Sequence, residues 1–432
     1  MKMTASPEVV GGEVALSAAQ SKISLSRAVR VVDAKDVVKS GAKQDVEDVE
    51  NVEDVEKQDV EDKYLKIYSL IYLMKYKNPI VIGGGIIGSS IVYHLSKLGY
   101  HIKWFEHMPF GWFSTSKAAG LIVHGMDKNK YPSVMARETI TNIRTLEKQL
   151  DENIGFVKCG SLTFNDKMSN ISLPTIPQFH LKHLSKHVYY NKHDGYVDPV
   201  VLAGAYKRAS TNYQFINEKV EKLIIKNNEV KGVQTANEEF FGDVIDCGGS
   251  WLGELAKKII PHKPYIPLRS HYFHVSYNGP QQIPSLMMNG LYIRHNQDNK
   301  YVLGIREKTS YHYSSPLPYT WEAEKAIKIS DKEDILIENY KKIEDIFVNI
   351  DTLEINDYIA GFSNYTPDGN YIIGQVCQGL YFAGGDCGSG VSSSGGIGKM
   401  IADQSFTPIF DPLRFNHLTS LLSKTIAIRS NK

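Results

Sequence analysis

Three glycines and one acid carry the clearest chemistry in this chain of 432 residues. Gly83, Gly85 and Gly88 stand in a GxGxxG pattern, and Glu106 follows at the roughly 20-residue distance typical of a nucleotide-binding acid. The first glycine permits a tight turn, the second lets backbone approach a pyrophosphate, and the third lets a helix sit close on a strand. An acid at that distance accepts hydrogen bonds from ribose hydroxyls. The chemistry these residues offer is dinucleotide binding.

Such residues work only on a strand–helix–strand frame, and their neighbours supply one. Ile80, Val81 and Ile82 read as a buried strand; Ile91, Leu95 and Leu98 recur at helical spacing; residues 101–105 read as a second strand ending at Glu106. The helix N-terminus then presents unpaired N–H groups and a positive dipole end to phosphates.

The rest of the chain bounds the answer. A hydrophobic content of 42% and an aromatic content of 10% describe a globular protein with a sizeable core. A net charge of +1 argues against a nucleic-acid partner. Cys159, Cys247, Cys377 and Cys387 are scattered without a CxxC, which reads as reduced thiols in a cytoplasmic protein and offers no metal site. No run of about 20 apolar residues is present, so no transmembrane segment is expected. Residues 1–76 read as an extension outside the fold, disordered or a misplaced start. Their acidic quasi-repeat DVEDVENVEDVEKQDVED has valine as its one large apolar type and can bury little.

Along the chain, residues 108–125 are rich in small and hydroxyl side chains, which suits a wall against a bulky ligand. Ile140, Ile143 and Leu146 predict an amphipathic helix over 137–150; residues 155–164 alternate like a strand; the DGYVDP run from Asp194 is a turn signal before a helix over 201–209. Residues 221–233 predict two strands about Asn227-Asn228. The run FGDVIDCGGSW predicts a buried strand ending on Gly248-Gly249, where either a ligand or tight packing would call for glycine. Residues 267–358 read as an antiparallel sheet, with strands at 271–276, 290–295 and 301–305, plus a charged helix over 321–347. This second domain is the natural substrate wall. Residues 380–383 predict a strand, 384–398 a glycine- and serine-rich loop, and Lys399 the start of a helix. That loop suits an anion or the electron-rich edge of a reduced isoalloxazine.

Taken in order, VIGGGIIGSS, SKAAGLI, DGYVDP, DVIDCGGSW, YIRHNQDNKYVLG, and TPDGNYIIG followed by GLYFAGGDCGSG make the chain resemble the D-amino-acid oxidase-like FAD-dependent oxidoreductases over residues 77–403. That group includes glycine and sarcosine oxidases, D-amino-acid dehydrogenases, and proline and dimethylglycine dehydrogenases. The resemblance implies an α/β (α+β) fold. A Rossmann-like FAD-binding domain would be assembled from residues 77–150, 193–264 and 356–415. A second domain, on a mixed or antiparallel sheet, would take 151–192 and 265–355, leaving 416–432 as a tail. It further implies that Gly83, Gly85, Ile87, Gly88 and Glu106 hold the ADP half and that Ser116, Ala119, Gly120 and Leu121 pass along the flavin, with Gly248 at a further backbone approach. Gly385, Asp386, Gly388, Ser389, Gly390 and Val391 would meet the pyrimidine end.

The implied reaction oxidises the CH–NH bond of a small amine or amino acid, hydride passing to flavin N5, with water hydrolysing the resulting imine. The protein's tasks are orientation, exclusion of water and stabilisation of negative charge, so no general acid/base pair is expected. Relatives of the amino-acid oxidase branch carry GLRP before TPDG, and its Arg clamps the substrate carboxylate. Here Gly361-Phe362-Ser363-Asn364 stands in that place, so a carboxylate anchor must come from elsewhere; Tyr292, Arg294 and Arg306 on the central strands are the candidates, each equally a surface strand residue, with His124 and Tyr365 as further candidates to line the site. Gly361 occupies the position of the cysteine that links FAD in monomeric sarcosine oxidases, which implies non-covalent FAD. The electron acceptor is oxygen, a carrier or a partner subunit; the lack of a lysine between Arg269 and Arg294 tilts toward a dehydrogenase. A hydroxy-acid or glycerol-3-phosphate dehydrogenase and a non-catalytic flavin-binding subunit are the alternatives on the same fold.

Overall fold

The structure is a computed structural model that describes residues 76–124, 130–164, 188–260, 265–279, 283–288, 291–305, 344 and 347–414. Strand β1 (Ile80–Ile82) leads through helix α1 (Ile86–Lys97) to β2 (Ile102–Phe105), the unit expected from the glycine pattern. A short β3 (Leu121–Ile122) precedes α2 (Tyr131–Leu150), then β4 (Ser161–Phe164), β5 (Val188–Asn191) and β6 (Gly195–Tyr196). Helix α3 (Pro199–Ala209) starts where the DGYVDP signal places it: Asp198 Oδ1 accepts from the N–H groups of Val200 and Val201, and Pro199 needs no donor of its own there. Next come β7 (Tyr213–Ile216), β8 (Lys222–Lys226), β9 (Glu229–Gln234), β10 (Glu239–Phe241) and β11 (Val244–Asp246). The strands β12 (Ile266–Ser276), β13 (Ser285–Met288), β14 (Leu291–His295), β15 (Lys300–Ile305) and β16 (Glu354–Tyr365) follow. The described chain ends with β17 (Ile372–Cys377), β18 (Leu380–Gly384) and α4 (Gly390–Asp403).

Two large sheets organise these elements. The first has the order β17-β18-β11-β1-β2-β7, all parallel except β17. Its strands alternate between two cores. Val81, Trp104 and Ile245 pack with Ile91, Leu95, Ile397 and Ile401 of the helices. Ile80, Phe105 and Val244 pack with Leu223, Val233 and Phe240 of the β10-β9-β8 sheet. Both faces are covered, as a parallel sheet requires.

The second sheet has the order β16-β12-β15-β14-β13-β4-β5. One face is an apolar core of Leu162, Phe273, Val275, Leu286, Ile293 and Leu303. By the alternation of the pleat and the observed register, the other face carries Ser270, Tyr272, Arg294, Gly304, Gly361 and Ser363. Residues 356–365, which the sequence reading groups with the nucleotide-binding part, hydrogen-bond to β12 within this sheet. The charged run 321–347, read as a helix, lies outside the described residues except for 344 and 347.

One expectation is overturned. The glycine- and serine-rich run after Gly384 is helical from Gly390 onward, with only residues 385–389 as loop. Its small residues serve helix packing. A Cβ on Gly398 would lie 2.3 Å from Ser90 Oγ, one on Gly395 2.7 Å from the Thr139 backbone, and one on Gly396 2.6 Å from the Met135 Cα. Glycine is the residue that lets α4 meet α1 and α2 at that distance, and the packing outweighs its poor helix propensity. The strand expected over 155–164 is confined to Ser161–Phe164, because Gly155 and Gly160, with φ of +79° and +77°, turn the chain ahead of it.

Between α1 and α2, buried His94 accepts from the Asn142 amide at 2.8 Å, and burial pushes its imidazole down to about 3. The folded chain thus holds His94 neutral while the unfolded chain protonates it at its ordinary 6.5. Between those limits the unfolded state binds more protons, so acidification from about pH 6.5 toward 3 removes stability, by roughly 3–5 kcal/mol if this group acts alone. Denaturant titrations should show this loss in the wild type, and His94→Gln should flatten the pH dependence over that window.

Candidate functional site

At the carboxyl ends of the parallel strands lies a cleft enclosing about 1430 Å³, its open mouth included. Ligands of open parallel sheets bind at this edge. Its floor is the turn between β1 and α1. Gly83 has φ +114°, and a Cβ on Gly88 would stand 2.0 Å from Gly83 O, so α1 can start against the end of β1 only with glycine there. Trp104 Nε1–H donates to Gly83 O at 2.9 Å and pins the turn to β2. Gly85, Ile86 and Ile87 line the cleft, so the first turn of α1 faces it. The Ile86 N–H is taken by Thr115 Oγ1 at 3.0 Å, which ties residues 111–118 to the helix start.

Glu106 lines the same cleft. Its Oε2 accepts from the Gly84 N–H and its Oε1 from the Met108 N–H, each at 2.8 Å. Those bonds fix the carboxylate and leave further lone pairs on both oxygens for hydroxyl donors.

A second strand–turn–helix unit, β18 into α4, enters from the other side of β11. Asp386 Oδ2 accepts from the Gly390 N–H at 2.8 Å, and burial pushes the Asp386 carboxyl up. Asp246, at the end of β11, accepts from Gly248 N–H and Gly253 N–H, both at 2.9 Å, and burial pushes it up to about 6. The cleft walls therefore carry several acids, with Lys219 and His107 as the cationic types among the lining residues. Negative phosphates would be met by helix N-termini more than by side-chain cations.

Of the residues singled out in the sequence, Gly83, Gly85, Ile87, Glu106, Gly248, Gly385, Asp386, Gly388, Gly390 and Val391 line the cleft. Gly88, Ser116, Ala119, Gly120, Leu121 and Ser389 do not; a Cβ on Gly120 would meet Val197 O at 2.0 Å, so its backbone packs against the turn before α3. Tyr292, Arg294, His124 and Tyr365 also lie off the cleft lining. The Tyr292 ring crosses Gly304 on the neighbouring strand, where a Cβ would come within 1.8 Å of it. Tyr365 hydroxyl lies 3.5 Å from Ser270 Oγ, beside Gly388. His124 Nδ1 meets Asp194 Oδ1 at 2.5 Å, and Ser161 Oγ donates to Asp194 Oδ2 at 2.5 Å, in a fully buried group at the β3–β6 edge. Arg306 lies outside the described residues.

Several lining residues carry no sequence signal. Asn364 lines the cleft and is 2% exposed; its amide Nδ2 donates to Gly249 O, and its buried Oδ1 has no hydrogen-bond partner among the described residues. Ser250 Oγ is buried and likewise has no partner among the described residues. Phe113 and Trp251 pack ring against ring at 4.7 Å on the wall. Glycine cradle, helix N-termini and orphaned polar atoms in one cleft fit FAD, whose pyrophosphate, ribityl and ring donors match them. Gly85→Val, which puts a side chain into the cleft where the backbone conformation is ordinary, should therefore strip the purified protein of its yellow cofactor, lowering flavin per chain about tenfold while far-ultraviolet circular dichroism stays near wild type.

The chain was compared with known proteins. A model of the FAD dependent oxidoreductase family, DAO, matches residues 80–404. The pyruvate dehydrogenase phosphatase regulatory subunit of Mus musculus mitochondria is 26% identical over 373 residues, 75% of this chain but 40% of that one. Glycine oxidase of Bacillus licheniformis is 23% identical over 362 residues, covering 77% and 93%. Among solved structures, L-proline dehydrogenase from P.horikoshii superposes with a TM-score of 0.63 at 20% identity, covering 79% of this chain and 98% of that one. Among the described residues no helix is long and apolar enough to cross a membrane. With a family match spanning most of its length and a cleft built for the cofactor, the chain belongs to the DAO family of FAD-dependent oxidoreductases.

Proposed function

We propose that this chain oxidises the CH–NH bond of a small carboxylate-bearing amine, of the sarcosine, proline, glycine or D-amino-acid kind. The single observation that carries this reading is Arg294. Its guanidinium is buried on the polar face of the seven-stranded sheet, and burial pushes its pKa down. Nε–H donates to Ala119 O at 2.7 Å, and Nη1–H to His295 O at 3.2 Å. Its Cζ sits over the Tyr196 ring, 4.4 Å from the centroid. Among the described residues it has no carboxylate within ion-pair distance, and its electrostatic neighbours are Tyr196, Tyr272, Tyr292 and Cys159. A buried cation without an anion is costly, and a ligand carboxylate relieves that cost.

When bound, FAD supplies the two-electron acceptor. The chain's residues then orient and enclose the amine. Tyr272, Tyr292 and Arg294 stand on the sheet face opposite the apolar core. Arg294 also ties that face to the 115–119 segment, whose Thr115 and Ala118 line the cleft. Ser363 on the cleft wall leaves room where relatives of the amino-acid oxidase branch carry an Arg. This arrangement supports the division proposed from sequence, a nucleotide-binding part with a sheet above it. The electrons then pass to an acceptor of the class of oxygen, a carrier or a partner subunit.

A second reading, a flavin-binding subunit without turnover, is favoured by the similarity to a regulatory subunit. Anaerobic mixing with sarcosine, dimethylglycine, proline, glycine and D-alanine separates the two. Loss of the flavin's visible absorption with one of these amines is expected; no bleaching by any of them, or bleaching only by 2-hydroxyglutarate or glycerol 3-phosphate, would contradict the amine reading. Arg294→Lys should raise KM for the active amino acid about 10- to 100-fold with flavin content retained, because a point charge replaces a fork. Acid precipitation should release all the flavin into solution, as non-covalent binding requires.

A further inference from the structure

Strand order divides the cleft. The phosphate-binding turn follows β1 inside the sheet, with Glu106 after β2 on one side and β11 and β18 on the other. A dinucleotide with its pyrophosphate on that turn and its ribose at Glu106 therefore lays its second half over the ends of β11 and β18. For FAD that half is the isoalloxazine. The β18–α4 turn also meets the seven-stranded sheet: Cys387 N–H donates to Asn364 O at 2.9 Å, and a Cβ on Gly388 would stand 2.9 Å from the Tyr365 hydroxyl.

Among the described residues no cation lines this half of the cleft; Lys219 and His107 follow β7 and β2, on the ribose side. Over β11 and β18 the lining holds two acids, Asp246, which is buried, and Asp386, half-buried on the cleft wall. Asp246 is committed to the N–H groups of Gly248 and Gly253. Asp386 stands at the start of α4. Its Oδ2 accepts the Gly390 N–H at 2.8 Å, and a Cβ on Gly390 would come within 2.5 Å of that oxygen, so glycine lets the carboxylate sit directly on the helix end. Burial pushes the Asp386 carboxyl up, and backbone bonds, that of Gly390 first, pull it back.

We propose that Asp386 sets the flavin's reduction potential, its carboxylate cancelling the positive end of α4 that would otherwise stabilise the reduced ring. A helix end is worth about half an elementary charge, so a full carboxylate bonded to it overbalances the attraction. Reduction adds negative charge to the isoalloxazine, and in a site shielded from water an oriented positive dipole favours that step. With Asp386 in place the step is opposed. Reduction by the substrate becomes harder and release of the electrons to the acceptor easier. The inference rests on the assignment of the cleft to FAD.

The test uses the full chain with FAD bound and needs no amine, so it stands apart from the reaction proposed above. Two readings respond to charge beside the ring: the midpoint potential, by equilibration with a reference dye, and bleaching by sulfite, an anion that adds to the oxidised flavin. Asp386→Asn should shift the two-electron equilibrium toward reduced flavin about 10- to 100-fold, which is about 30 to 60 mV. Sulfite binding should tighten by a similar factor, with flavin per chain retained. Asp386→Ser also removes the charge; it should do the same, and it supplies the reading should the asparagine variant not fold. Potential and sulfite affinity unchanged in the variants, or a potential that falls, overturns the proposal while the FAD site stands. Failure of the wild-type chain to hold FAD would instead overturn the cofactor assignment.

Discussion

The contact on which the rest depends is the approach of α1 to the end of β1, where a Cβ on Gly88 would come within 2.0 Å of Gly83 O. It fixes the helix axis to the strand and aims the helix N-terminus at the cleft. The same device recurs at the far side. Gly398, Gly395 and Gly396 let α4 lie against α1 and α2, and Gly388, Gly390 and Val391 then bring the start of α4 to the same cleft. Two helix N-termini thus converge across β11. In a cleft whose walls carry Glu106, Glu218, Asp246 and Asp386, these oriented backbone dipoles supply the attraction for a pyrophosphate.

The second constraint is the two-sided character of the seven-stranded sheet. Phe273, Ile293 and Leu303 hold its core side, which frees the other side to carry polar and aromatic groups without loss of stability. Arg294 joins the two parts: its bond to Ala119 O reaches the segment that also supplies Thr115 to the start of α1. The buried guanidinium is therefore held by the loop that borders the cofactor cleft. The buried Asp194, which binds both His124 and Ser161, anchors the opposite end of that segment to β4 and β6.

How far the sequence revealed this depends on the range of the interactions. The β1–α1–β2 unit was legible because its signals are local: a strand, three glycines, a periodic helix and an acid within a short span. Asp198 before Pro199 and the paired asparagines Asn227 and Asn228, with φ of +54° and +62°, announced a helix start and a hairpin for the same reason. The GVSSSGGIG run misled, since glycine marks both flexible turns and tight helix packing, and only the partners Thr139, Met135 and Ser90 decide between them. Asn364, Ser250 and Glu218 were invisible because nothing local marks a polar atom that folding buries without a partner among the described residues. The candidates Tyr292, Arg294 and Tyr365 were placed on one sheet face by register, which no single stretch of sequence encodes.

The most direct test is a crystal structure of the protein with FAD bound. The account predicts the pyrophosphate at the Gly83–Gly88 turn and the start of α1, with the isoalloxazine ring beneath the sheet face that carries Tyr272, Tyr292 and Arg294. A ring directed away from that face, or a cofactor seated elsewhere than the cleft, would contradict it.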